Sequence, residues 1–146
     1  MFKLTTVKLS IFALLVLLAG LIFAAPWGLY YLGLQGISGK PALPVALLSG
    51  ERQIELWQKA GCEGQPALDE LNPVHYIMTA PSQEAPPPVT MFAWRIASAY
   101  QREHKLHDGV MWQQLSGAAL AIWITRNWSI EQILSKVQEQ QDSKQH

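Results

Sequence analysis

Residues 11–25 read IFALLVLLAGLIFAA, from Ile11 to Ala25, and are apolar without interruption. They lie within a longer stretch, residues 9–39, that carries no charged side chain between Lys8 and Lys40. A bilayer core about 30 Å thick needs about 20 apolar residues at about 1.5 Å of rise each, and Leu9 to Leu29 supplies that length. Lys3 and Lys8 precede the stretch, and only Lys40 follows it closely. The positive-inside bias therefore keeps residues 1–8 in the cytoplasm and sends the rest of the chain outward. Trp27, Tyr30 and Tyr31 fall at the exit end, where amphipathic rings favour the headgroup region. The expectation is a transmembrane anchor over residues 9–31, in contact with lipid along its length.

A cleaved signal peptide has the same short basic start and apolar centre. Against that reading, the small-residue exit Ala24-Ala25 has Phe23 two places before Ala25, so the A-x-A pattern is not met, and Pro26 follows at once. The apolar character also continues through Gly28-Leu29-Tyr30-Tyr31-Leu32. The anchor is therefore expected to stay, with Pro26 kinking or ending its helix because proline lacks a backbone donor.

The anchor accounts for an unusual composition. Of 146 residues, 49% are hydrophobic and only 15% charged, where a soluble domain carries about 25% charge. Eleven basic residues balance eleven acidic ones, which excludes a broadly basic nucleic-acid binder. The single cysteine, Cys62, excludes an internal disulfide framework and a thiolate zinc cage.

Beyond the anchor the chain reads as an ordinary small domain. Gly33, Gly36, Gly39, Pro41 and Pro44 suggest a linker over residues 32–48. Helices are expected over residues 49–138 from their punctuation. Ser49 caps a helix holding Ile54 and Trp57 that Gly61 ends. Asn72-Pro73 opens a short helix that Pro81 stops, and Ser82 to Pro88 reads as a stiff extended loop. From Thr90, Phe92, Ile96, Ala99 and Tyr100 recur at helical spacing. Val110 to Thr125 is apolar nearly all round but too short to span a bilayer comfortably, which suits a buried central helix. Ser129 and Gln132 form a capping box for a helix with Ile130, Ile133, Leu134 and Val137 on one face. Residues 139–146 form a polar tail, expected to be disordered. No period-two pattern appears. The fold expected is all-α: one N-terminal transmembrane helix plus a small extracytoplasmic helical domain.

Candidate chemistry is sparse. The densest polar cluster runs from Glu103 to Asp108. On one helix, His104 and His107 three residues apart could both meet a metal ion, although a solvated, dipole-complementing helix end is the plainer reading of the same residues. Glu70 beside Asp69 is a candidate general acid, with a surface pair before the Asn72 cap as the plainer reading. Glu103 is a second candidate acid or base. Ser116 lacks the G-x-S-x-G elbow and suits close helix packing with Gly117 and Ala118. Trp94, Trp112, Trp123 and Trp128 can form a core or line a sugar-binding groove. No cofactor motif is present.

Two stretches resemble the bacterial peptidoglycan glycosyltransferases, the transglycosylase modules of class A penicillin-binding proteins. His107-Asp108-Gly109-Val110-Met111-Trp112 is similar to the end of that family's first motif, and Leu120 to Leu134 is similar to its late helix–turn–helix. The resemblance implies a membrane helix followed by a helical, lysozyme-like domain outside the cytoplasm. Where the family has its catalytic Glu-Asp, this chain has Tyr100 and Gln101, and the central Gly-Gly-Ser-Thr-x-x-Gln-Gln motif is absent. The implied protein is a shortened, inactive relative in a bacterial inner membrane. It would bind or scaffold an envelope complex from the periplasm, with an envelope membrane protein and peptidoglycan as partners. The alternative is a cell-wall enzyme acting on peptidoglycan glycan or its lipid-linked precursor.

Overall fold

The computed structural model describes residues 2–82 and 84–146. Among the described residues there are six helices and no strand: α1 (Phe2–Gln35), α2 (Gly50–Lys59), α3 (Pro73–Thr79), α4 (Val89–His104), α5 (Val110–Asn127) and α6 (Ile130–Lys144). The all-α class expected from the sequence is observed. One helix, α1, is long and apolar enough to cross a membrane.

Pro26 does not break α1, which continues for 34 residues. Proline removes one backbone donor, and the turns that follow it are held from outside by α5 and α3. Pro26 and Tyr30 are buried there, with Tyr30 joining Leu71, Ala119 and Ile122 in a small apolar cluster. Residues 3–25 are exposed along their whole length, a rise of about 35 Å.

Two of the glycines expected in a linker, Gly33 and Gly36, serve this docking instead. A Cβ on Gly33 would stand 2.6 Å from both the Leu115 carbonyl oxygen and the Ala119 Cβ. A Cβ on Gly36 would collide with the Ser116 hydroxyl oxygen. Their missing side chains let the backbone of α1 lie directly on α5. Just beyond, the chain is pinned to the end of α4. The Ser38 N–H donates to the His104 carbonyl at 2.9 Å, and the Leu106 N–H donates to the Gly36 carbonyl at 3.0 Å.

The core lies where α4, α5 and α6 meet, around the fully buried Phe92, Ile96, Leu120, Ile124, Ile133 and Leu134. Trp57 of α2 stacks on Phe92 at 5.7 Å with planes 13° apart. α5 is apolar nearly all round because α1 covers one side while α4 and α6 cover others.

The predicted caps are formed. Asn72 Oδ1 accepts from the Val74 N–H at 2.9 Å. In the Ser129 box, the Gln132 N–H donates to Ser129 Oγ at 3.2 Å and the Ser129 N–H donates to Gln132 Oε1 at 2.9 Å. α6 runs further than expected, taking the polar tail into helix as far as Lys144. Side chains one turn apart support it, with Lys136 Nζ 2.8 Å from Glu139 and Gln138 donating to Asp142 at 2.8 Å. Glu139 also accepts the Val45 N–H at 2.8 Å, fastening the loop before α2 to this helix.

Candidate functional site

The Glu103–Asp108 cluster does not assemble into a site. α4 ends at His104, so His107 stands beyond the helix and the three-residue spacing no longer aligns the two rings. The His104 ring stacks on Tyr100, with centroids 3.8 Å apart, and its Nδ1–H donates to the Tyr100 carbonyl at 2.9 Å. The His107 ring packs on Trp112 at 4.4 Å. Lys105 Nζ lies 2.8 Å from Asp108, and its hydrogen bond and charge hold that carboxyl below the usual range. Glu103 is exposed on the last turn of α4. Among the described residues, no group of three metal-ligating side chains comes together.

Tyr100 and Gln101 act as ties. Tyr100 Oη donates to the Ser38 carbonyl at 2.7 Å, and desolvation pushes its phenol up from the ordinary value. Gln101 is buried and donates to the Gln113 carbonyl at 2.9 Å. Ser116 is buried against the α1 crossing, and Cys62 is a half-buried free thiol packed on the core.

Glu70 has a different setting. Thr125, buried in α5, accepts the Leu71 N–H on its hydroxyl at 3.0 Å. Arg126 donates to the Leu71 carbonyl at 3.4 Å. This clamp holds Leu71 down and leaves Glu70 exposed on the rim of a cleft of about 760 Å³. The opposite walls come from α3, the proline run and the first turns of α4. Trp94 Nε1 donates to Tyr76 Oη at 3.1 Å, giving the cleft an aromatic wall. Glu84 and His75 line it, and no lysine or arginine does. Thr90 lines it too; the residue is 4% exposed, and its buried hydroxyl has no hydrogen-bond partner.

The volume falls within the range of small-molecule sites, about 300–1,000 Å³. The lining suits a neutral, hydroxyl-rich or cationic group rather than an anion, because both full charges on it are carboxylates. Of these residues, sequence reasoning singled out Glu70 and Trp94. Tyr76, Glu84 and Thr90 carried no signal, since the wall depends on a hydrogen bond between residues 18 apart on different helices. Trp57 and Trp128 are core, whereas Trp94 faces a cleft.

No family model matches this chain, and the searches of curated proteins and of solved structures found no match either.

Proposed function

We propose that this chain is a single-pass protein of a bacterial inner membrane that presents a non-catalytic helical domain to the periplasm and there scaffolds an envelope complex. Lys3 and Lys8 set the N-terminus in the cytoplasm, and α1 carries the chain across. The observation that carries the reading is the unbroken course of α1 from its bare stretch into the domain. A catalytic domain on a flexible tether can search for substrate. Here, Gly33 and Gly36 seat the helix on α5, so the domain holds a fixed height and orientation on the bilayer. A fixed pose suits a part of an assembly, and the cleft beside Glu70 offers a recognition surface for an envelope protein or for peptidoglycan glycan. Gentle detergent extraction followed by affinity purification should recover partners in fixed stoichiometry. Recovery of the chain alone across several detergents defeats the proposal.

The cleft also favours a second reading, a cell-wall enzyme acting on peptidoglycan glycan or its lipid-linked precursor. Glu70 beside an aromatic wall is an arrangement that sugar chemistry uses. In this reading Glu70→Gln abolishes turnover of the polymer or precursor while Glu103→Gln, away from the cleft, leaves it intact. No turnover by the parent chain, or equal turnover by Glu70→Gln, removes it.

A further inference from the structure

A second cavity, of about 490 Å³, runs along the domain-embedded part of α1, between α3 and α5. Pro26 and Leu29 form one wall, Ala118 and Ile122 belong to another, and no charged side chain lines it. Its rim carries Ile77 and Met111, which are 41% and 83% exposed, and Met78 beside Ile77 is 63% exposed. Soluble surfaces rarely leave such groups together without a reason.

The position of this groove supplies the reason. α1 and α5 run antiparallel. The Arg126 guanidinium lies 5.3 Å from the Trp27 ring centre, while Gly33 meets Leu115 and Ala119, and Gly36 meets Ser116. The groove therefore follows α1 from Pro26 upward and begins where the exposed apolar stretch of residues 11–25 ends. The uncharged part of α1, residues 9–35, rises about 40 Å, which covers the hydrocarbon core and reaches into the headgroup layer. The groove then opens at its Pro26 end onto the outer leaflet.

We propose that this groove holds one hydrocarbon chain of a bilayer lipid, lying alongside α1 with its tail toward Pro26. The inference rests on α1 crossing the membrane. A partner helix is the poorer fit: at about 10 Å across and about 5.4 Å of rise per turn, it would fill the volume with little more than one turn. A single flexible chain fits an uncharged trough of this volume, whose one amide side chain is Gln114.

The test uses the full chain in nanodiscs of phosphatidylcholine containing a fraction with a diazirine in one acyl chain. After irradiation, adducts are mapped by mass spectrometry. Labelling is expected on residues 4–25 of α1 and also on α3 and on α5 around Ala118. Ala118→Trp fills the trough, and Met111→Asp, at an exposed position, places a charge on its rim. Both should remove the α3 and α5 adducts while leaving those on residues 4–25. Adducts on α1 alone overturn the proposal, as do α3 and α5 adducts that survive both substitutions. Photoproducts joining two copies of the chain through the groove overturn it as well. Absence of labelling from α1 itself would instead remove the membrane crossing on which the proposal stands.

Discussion

Replacing Gly33 by alanine separates a seated α1 from one that merely leads to the domain. In an ordinary helix, glycine to alanine is favourable by about 1 kcal/mol, because glycine loses more backbone freedom on ordering. At Gly28, where an added Cβ would meet nothing within 4 Å, that gain should appear nearly in full. At Gly33 the same methyl group would stand 2.6 Å from the Leu115 carbonyl oxygen, a backbone atom that cannot swing away. α1 must then lift off α5, and overpacking of this kind costs about 1–3 kcal/mol. The net effect at Gly33 is a loss of up to about 2 kcal/mol after the helix gain is subtracted. For a domain of this size, each 1 kcal/mol moves the melting midpoint by about 4–8 °C. Thermal melts of the full chain in one detergent, followed by tryptophan fluorescence, should therefore move in opposite directions, down for Gly33→Ala and level or up for Gly28→Ala. Equal shifts for the two variants, or a higher midpoint for Gly33→Ala, would show that the helix does not rest on α5 and that residues 32–48 behave as a linker after all.

Other predictions concern the domain itself. Ser129→Ala removes the acceptor half of the α6 capping box, and the melting midpoint should fall by an amount equivalent to about 1 kcal/mol. Phe92→Ala empties a fully buried site beneath Trp57, so chemical denaturation should report a loss of about 3–5 kcal/mol. The hydrogen bond from Lys136 holds the Glu139 carboxyl below its ordinary value, against desolvation, with further help from the Val45 N–H. A carboxyl depressed in the folded state stabilises the fold fully above its unfolded value of about 4.3, and the benefit disappears as pH falls through the folded value. Glu139→Gln should accordingly flatten the acid limb of stability against pH while changing little once the pH lies below the folded value. A parallel acid limb in the variant would contradict the assignment.

Local signals were read correctly wherever one short segment sufficed. The Ser49, Asn72 and Ser129 caps each depend on a side chain bonding a backbone N–H within three residues, and each is formed. The apolar run at Ile11 to Ala25 and the all-round apolar α5 likewise announce their surroundings through composition. The readings that changed all concern what a segment lies against. Pro26 looked like a helix end because its backbone argues so in isolation, yet α5 and α3 hold the turns after it. Gly33 and Gly36 looked like linker residues because glycine is as common in loops as in close crossings. The polar tail looked disordered because its support comes from side-chain pairs on α6 and from a contact of Glu139 with Val45, 94 residues away.

The same division holds for the candidate site. Sequence alone determined that the chain has one apolar helix of membrane-crossing length and a helical domain after it. These follow from hydrophobic period, capping chemistry and charge, which act over a few residues at a time. Only the tertiary structure decided that α1 and the domain form one body. It also decided that Glu70 stands on the rim of a cleft, and that Trp94 and Tyr76 join to form a wall of it. Those outcomes depend on backbone approach at Gly33 and on the Thr125 clamp at Leu71, contacts between residues more than fifty positions apart that no local pattern encodes.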